Sequence, residues 1–227
     1  MATHYGASVV FPLYLYPNPM ELIEQQVSVS SNFNSSVNNL INIANQSAQV
    51  GVASDMQVLH YIYAILYSQI YRKRYAEIFV NDFPRIPESP CLELFSALGL
   101  LGAELTALHL VEKSYPMAPW NQKGTKFNCP FDNTGITLAG HGSMQVDKVS
   151  YSDETVWIDK KKTCGFRGVK ESVWEFHIGG YQVCQKWLKN RGPKKGQPGR
   201  ILTKEDIAHF QKIIVAISET IRIMAEI

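Results

Sequence analysis

Residues 1–71 contain no lysine or arginine and only three acids, Glu21, Glu24 and Asp55. Any electrostatic footprint for a polyanion must therefore come from later in the chain. No basic segment leads into an apolar stretch at the N-terminus, and no run of eighteen apolar residues occurs. Neither a secretory signal nor a membrane span is expected, and the reading is a cytoplasmic protein without a membrane partner. The four cysteines, Cys91, Cys129, Cys164 and Cys184, stand singly. Without C-x-x-C pairs they suggest reduced thiols, not a zinc site. The six histidines form neither an H-E-x-x-H motif nor an i, i+4 pair. A G-x-x-x-x-G-K-[ST] phosphate loop is missing too.

Two further absences concern methyl transfer. No strand is followed by a glycine-rich turn and an acid, as a pocket for S-adenosylmethionine requires. Asn18-Pro19-Met20 and Asn128-Cys129-Pro130-Phe131 do not fit the Asn-Pro-Pro-Tyr-like motif that holds a target amine. Ala139-Gly140-His141-Gly142-Ser143 lacks the strand-to-helix elbow of a nucleophile loop. The chain is read as having no catalytic or metal site and no cofactor of its own.

What is present is ordinary globular composition, with 45% hydrophobic and 19% charged residues in 227. The net charge of +2 hides a concentration of cations: residues 114–200 hold fourteen Lys or Arg against seven acids. This is the composition of a surface that meets a polyanion, or of a merely lysine-rich one.

Periodicity divides the chain. Residues 1–16 read as a strand or strand pair ending at Pro17, and a weak helix is expected at Val37–Ala44. Leu59, Ile62 and Leu66 predict a helix capped by Ser54 or Asp55, and Ser68 starts another over Gln69–Phe79. Leu94, Leu98, Leu101, Leu105 and Leu108 predict a long helix over Cys91–Glu112. The last helix opens on a capping box, Thr203 with Asp206, and carries Ile207, Phe210, Ile214, Ile217, Ile221 and Met224 on one side. Between them, 114–142 reads as loop, and Gln145–Tyr151, Thr155–Asp159 and Val173–Ile178 as strands, with a hairpin turn at Ser152–Glu154. Tyr181–Asn190 reads as helix and Gly192–Gly199 as a flexible basic loop. The expected fold is α+β in a single domain. A helical bundle (about 55–113 and 203–227) carries a small, mostly antiparallel sheet (about 114–200) inserted before the C-terminal helix.

Three long segments are distinctive together: Tyr71–Pro87 (YRKRYAEIFVNDFPRIP), Val173–Arg191 (VWEFHIGGYQVCQKWLKNR) and Thr203–Ile227. With Phe11–Pro17 and Val58–Leu66, they closely resemble the C-terminal target recognition domain of type ISP restriction–modification enzymes. The resemblance runs nearly end to end, except for Lys123–Ser150. It implies a module that reads an asymmetric double-stranded DNA site and presents adenine to an adjoining methyltransferase. That methyltransferase binds S-adenosylmethionine, and a helicase-like motor lies in the same polypeptide. The alternative is a helical module that docks protein chains through an exposed 203–227 stripe.

Candidate DNA contacts follow from charge and placement. Arg72, Lys73 and Arg74 fall within one helical turn between Tyr71 and Tyr75. Arg85 sits between prolines, aimed at DNA or paired with Asp82. Lys123 and Lys126 lie in the variable segment. Lys160, Lys161, Lys162 and Arg167 surround a Gly-Phe turn suited to a groove. Tyr181 and Gln182 follow Gly179-Gly180 at an expected helix N-terminus, a place for phosphate. Lys194 and Lys195 add charge in the basic loop, and Trp187 reads as core or as a platform for a base.

Overall fold

The computed structural model describes residues 12–16, 30–33, 37, 39–40, 42, 54–80, 82–123, 128–140 and 142–227. Their elements are mixed: among the described residues there are six helices and three small antiparallel sheets, an α+β fold. The chain forms two compact units, one of residues 1–66 and 71–102, the other of 67–70 and 103–227.

In the first unit, β1 (Tyr14–Leu15) pairs antiparallel with β2 (Ser30–Ser31). Residues 1–11 of the predicted N-terminal strand, and half of the weak helix at Val37–Ala44, lie outside the described residues. Helix α1 (Ser54–Tyr67) buries Val58, His60, Tyr61 and Ala64, and Tyr61 stacks on Phe95 with centroids 5.1 Å apart. Phe95 belongs to α3 (Leu92–Leu110), whose residues to Gly102 lie in this unit. The Tyr61 hydroxyl donates to the Pro87 carbonyl at 2.9 Å, and the Tyr71 hydroxyl to the Arg85 carbonyl at 2.8 Å. Two buried phenols thus find acceptors in the one segment whose prolines keep it out of helices and ladders.

The helix expected over Gln69–Phe79 is shorter. Helix α2 covers Gln69–Arg74, and a one-turn 3-10 helix follows at Ile78–Val80. Tyr71, Tyr75 and Phe79 keep helical spacing across the break, with their rings 4.9 to 6.5 Å apart.

The second unit is built on a four-stranded antiparallel sheet in the order β3-β6-β5-β4. The strands are β3 (Thr137–Ala139), β4 (Ser150–Ser152), β5 (Thr155–Trp157) and β6 (Gly165–Arg167). The predicted 152–154 turn is present: Ser152 pairs with Thr155, and Asp153 and Glu154 have φ of 53° and 50°. Positive φ at both central residues gives the turn the twist a two-residue hairpin needs. Its carbonyls are used, since Thr155 Oγ1 donates to Asp153 at 2.9 Å and the Val169 amide to Glu154 at 2.9 Å.

Three expectations are corrected here. Residues 114–142 are not all loop, because 137–139 form edge strand β3 against β6. Val173–Ile178 is not a strand: Glu171–Trp174 is one turn of helix, α4, and only His177–Ile178 is strand, β7. Tyr181 and Gln182 do not begin a helix. They form β8, which pairs with β7 across Gly179-Gly180, and α5 runs only over Val183–Lys189. Val173 and Trp174 are both buried, which a strand alternating between two faces does not achieve.

Helix α6 (Lys204–Glu226) starts as predicted. The Asp206 amide donates to Thr203 Oγ1 and the Thr203 amide to the Asp206 carboxylate, both at 3.1 Å. Such a cap stabilises a helix by about 1 kcal/mol. The sequence grouped this helix with 55–113, but its apolar side is committed to the sheet. Phe210, Ile214 and Ile217 share one core with Val156, Ile158, Phe166, Trp174 and Leu188. Phe210 lies edge-on to Phe166 at 4.7 Å and stacks on Trp187 at 4.8 Å. The C-terminal part of α3 meets α6 through His109 Nε2 and Thr220 Oγ1, 2.9 Å apart, and through an ion pair of Glu104 with Arg222. By length and a mean hydropathy of 1.2, α3 is apolar enough to cross a membrane. Leu105, Ala107 and Leu108 on it are fully buried within the protein.

Candidate nucleic-acid interface

The β5–β6 connection presents cations on a braced frame. It leaves the sheet at Ile158, whose amide donates to the Cys164 carbonyl at 3.0 Å, and closes around the Asp159 carboxylate. That carboxylate accepts from the Thr163 amide at 2.9 Å, the Thr163 hydroxyl at 2.8 Å and the Cys164 amide at 2.9 Å. Burial opposes ionisation of Asp159, but these hydrogen bonds outweigh it and hold its pKa below the ordinary value. Asp159 is therefore a fixed anion that ties both ends of the loop.

Lys160, Lys161 and Lys162 stand exposed on that frame. Lys160 lies 3.9 Å from Asp147, both well exposed, a pair that contributes little. Lys162 takes φ of +54° and donates to Ser152 Oγ at 3.0 Å, the oxygen that also accepts from Trp157 Nε1 at 3.0 Å. Arg167 is exposed on central strand β6, opposite Thr137 and Thr155. The sequence placed these residues around a Gly-Phe turn, whereas Gly165-Phe166-Arg167 is strand. Phe166 is fully buried, so it touches Phe210 and is not available to a base.

The remaining candidates divide between the units. In the first, Arg72, Lys73 and Arg74 are exposed on α2 above the buried Tyr71. Arg85 is 88% exposed and lies 3.5 Å from Asp82, so the pairing exists but is loose and solvated. In the second unit, Lys123 is exposed, and Lys126 lies outside the described residues. Tyr181 is 62% exposed with the Lys186 ammonium 4.8 Å from its ring centre. The Gln182 amide donates inward to the Trp174 carbonyl at 2.6 Å, and no helix N-terminus opens at Gly179-Gly180. Lys194 and Lys195 are exposed, but their loop is a closed turn, with backbone bonds in both directions between Lys194 and Gln197.

Trp187 is a core residue, stacked on Phe210 beneath the Arg191 guanidinium, which lies 3.5 Å from the ring centre. Arg191 and Arg200 share the Asp206 carboxylate, at 3.5 and 2.8 Å. Sequence reasoning missed that Arg191 and Arg200 converge on one acid. The only local signal was a basic residue at a helix end, and the acid that unites the two is already explained as a cap. Among the described residues no group of three His, Cys, Asp or Glu is placed to hold a metal ion. Burial pushes the Cys184 thiol up to about 12, which leaves it protonated and unreactive. The 203–227 stripe, on which the docking alternative depended, is spent on the core.

The fold has relatives. The chain is similar to the ATP-dependent Type ISP restriction–modification enzyme LlaBIII bound to DNA, with a TM-score of 0.60 at 16% identity, covering 95% of this chain and 13% of that one. It also resembles the DrdV–DNA complex (TM-score 0.56, 22% identity, 95% of this chain and 21% of that one). A nuclease-deletion mutant of the Type ISP enzyme LlaGI, in complex with a DNA substrate mimic, matches with a TM-score of 0.52 at 18% identity over 78% of this chain and 14% of that one. The chain thus spans between about an eighth and a fifth of these enzymes. No curated protein matches it. The model of the Type ISP C-terminal specificity domain matches residues 1–226, and the chain belongs to that family.

Proposed function

We propose that this chain reads a double-stranded DNA site on behalf of a larger restriction–modification polypeptide and carries no catalytic chemistry of its own. The parent enzyme is an adenine methyltransferase with a helicase-like motor, and S-adenosylmethionine binds in its methyltransferase domain. Membership of the specificity-domain family supports this reading, as does the DNA in the related complexes. The observation that carries it is the loop at Lys160–Lys162, three exposed cations on a frame braced by Asp159, which leads into β6 and its exposed Arg167. A braced loop loses little entropy on binding, so its charges act at nearly full strength.

The division of labour follows from chemistry. Lys160, Lys161 and Lys162 act on phosphates as point charges, as do Arg72, Lys73 and Arg74 in the first unit and Lys194 and Lys195 in the second. Arg167, with a planar fork that matches guanine O6 and N7, is the base reader. Arg85 in the first unit, and Lys123 and Tyr181 in the second, are further exposed candidate contacts.

The test is duplex binding by the full chain, followed by fluorescence anisotropy against salt. Replacing Lys160, Lys161 and Lys162 by Gln should flatten the log–log salt slope by roughly 0.9 for each phosphate that is no longer neutralised. In the enzyme that carries this domain, Arg167→Ala should relax methylation at one position of the site, a discrimination worth about 1–3 kcal/mol. Binding that ignores salt, or no binding by a folded chain, overturns the reading.

A further inference from the structure

A second basic feature lies where α5 ends. Arg191, Lys194, Gln197 and Arg200 line a groove of about 410 Å³. Its walls are fixed by the backbone. A Cβ on Gly199 would lie 1.6 Å from the Val146 carbonyl oxygen, so this segment rests directly on the Val146 main chain. The Val146 amide donates to the Arg200 carbonyl at 3.0 Å, and the Arg200 amide to the Arg191 carbonyl at 2.8 Å. Gln145 Nε2 adds a bond to the Gly199 carbonyl at 2.9 Å.

The groove's charges are not balanced internally. Among the described residues Asp206 is the one carboxylate paired with Arg191 and Arg200, and Lys194 stands exposed on the same groove. Arg191 Nη1 donates to the Trp187 carbonyl at 3.2 Å, and its buried Nε faces Asp206 Oδ1 at 3.5 Å without a hydrogen bond. Arg200 is 56% exposed and spends only Nη2, at 2.8 Å on Asp206. Two guanidiniums and an ammonium around one carboxylate leave a net positive charge, and Arg200 and Lys194 keep exposed donors on a rigid wall. An oxyanion supplies the missing acceptors, and guanidinium forks match the oxygens of a phosphate.

We propose that this groove binds a phosphodiester of the DNA backbone, with Arg200 and Lys194 in contact and Arg191 as the positioning residue. The proposal rests on the DNA-reading function above and adds a site to it. Asp206 caps α6, and α6 shares a core with Phe166, the neighbour of Arg167 in β6. A phosphate held here is therefore in fixed register with the strand that carries the base reader. Phosphate contacts position a protein on DNA while base contacts specify the sequence.

The experiment compares the full chain with Lys194→Gln, Arg200→Gln and the double variant on a duplex of mixed sequence. Anisotropy is followed across salt concentrations and melting temperature is recorded. The double variant should flatten the log–log slope by roughly 0.9, the value of a single phosphate, and weaken all sequences alike. Lys194→Gln alone should weaken binding with an unchanged melting temperature, which a structural role does not predict. If the parent chain keeps its salt-dependent binding and the variants keep its slope, the groove is not a phosphate site and the DNA-reading function stands. If the parent chain shows no salt-dependent binding, both fall together. Weakening by Arg200→Gln alone, accompanied by a lower melting temperature, assigns the groove to stability and overturns the site. A melting temperature raised by inorganic phosphate, with duplex slopes unchanged in the variants, assigns it to free anions and overturns the duplex contact.

Discussion

Gly102 lies so close to His60 that a Cβ at Gly102 would sit 1.8 Å from the His60 carbonyl oxygen. Helices α1 and α3 touch there main chain to main chain. Gly99, three residues earlier on α3, has only the Gln57 carbonyl oxygen near its Cβ position, at 4.0 Å. One substitution at these two sites should therefore have opposite signs. Gly102→Ala must push the helices apart and should cost about 1–3 kcal/mol. Gly99→Ala meets ordinary van der Waals contact and should gain up to about 1 kcal/mol of helix propensity. Urea unfolding midpoints of the two variants check this, and a stabilised Gly102→Ala protein would refute the close approach.

His60 should make stability depend on pH well above the carboxylate range. Burial lowers its pKa from 6.5 to about 4. Between those values the unfolded chain binds a proton that the folded protein refuses. Stability should thus be complete above pH 6.5 and fall as the pH drops towards 4, by up to about 3 kcal/mol. His109, also lowered to about 4 by burial, acts in the same direction. Glu104, raised by burial, opposes them just above its ordinary value of 4.5. Urea unfolding from pH 7.5 to 4.5 should give a falling stability, and His60→Gln should flatten that slope whatever its effect at pH 7.5. A slope unchanged by the substitution would count against burial of a neutral imidazole.

Asp159 should matter to DNA binding without carrying any of the positive charge. Asp159→Asn keeps the side-chain shape but weakens the acceptor for the Thr163 and Cys164 amides. The lysine loop then loses its brace, although the net positive charge rises by one. If the loop must be held in place to bind, affinity for duplex should fall two- to tenfold despite the added charge. If only total charge matters, affinity should rise at low salt. Anisotropy at a single low salt concentration separates the two outcomes, and a rise would remove the argument from a braced loop.

The parts of this protein legible in its sequence are those written in local spacing. The stripe from Ile207 to Met224 and the Thr203–Asp206 box give α6 to within a residue or two, since period and cap depend on neighbours three and four apart. The leucine series gives α3, and Asp153-Glu154 between β-branched and aromatic residues gives the hairpin. The long words of the chain carry the family, and the concentration of cations in 114–200 directs attention to a polyanion.

Tertiary structure decided the rest, because it depends on partners distant in sequence. Thr137–Ala139 is a strand only because β6 lies beside it to pair, and nothing in its own composition required that. Val173–Trp174 turns into helix so that both side chains reach the core, and Phe166 is withdrawn from any groove by Phe210, 44 positions away. Arg191 and Arg200 come together on Asp206 because Gly199 lets one main chain rest on another at Val146. Local spacing encodes the period of an element and its ends. Which face it buries, and which charges it gathers, is settled by the free energy of packing elements that the sequence places far apart.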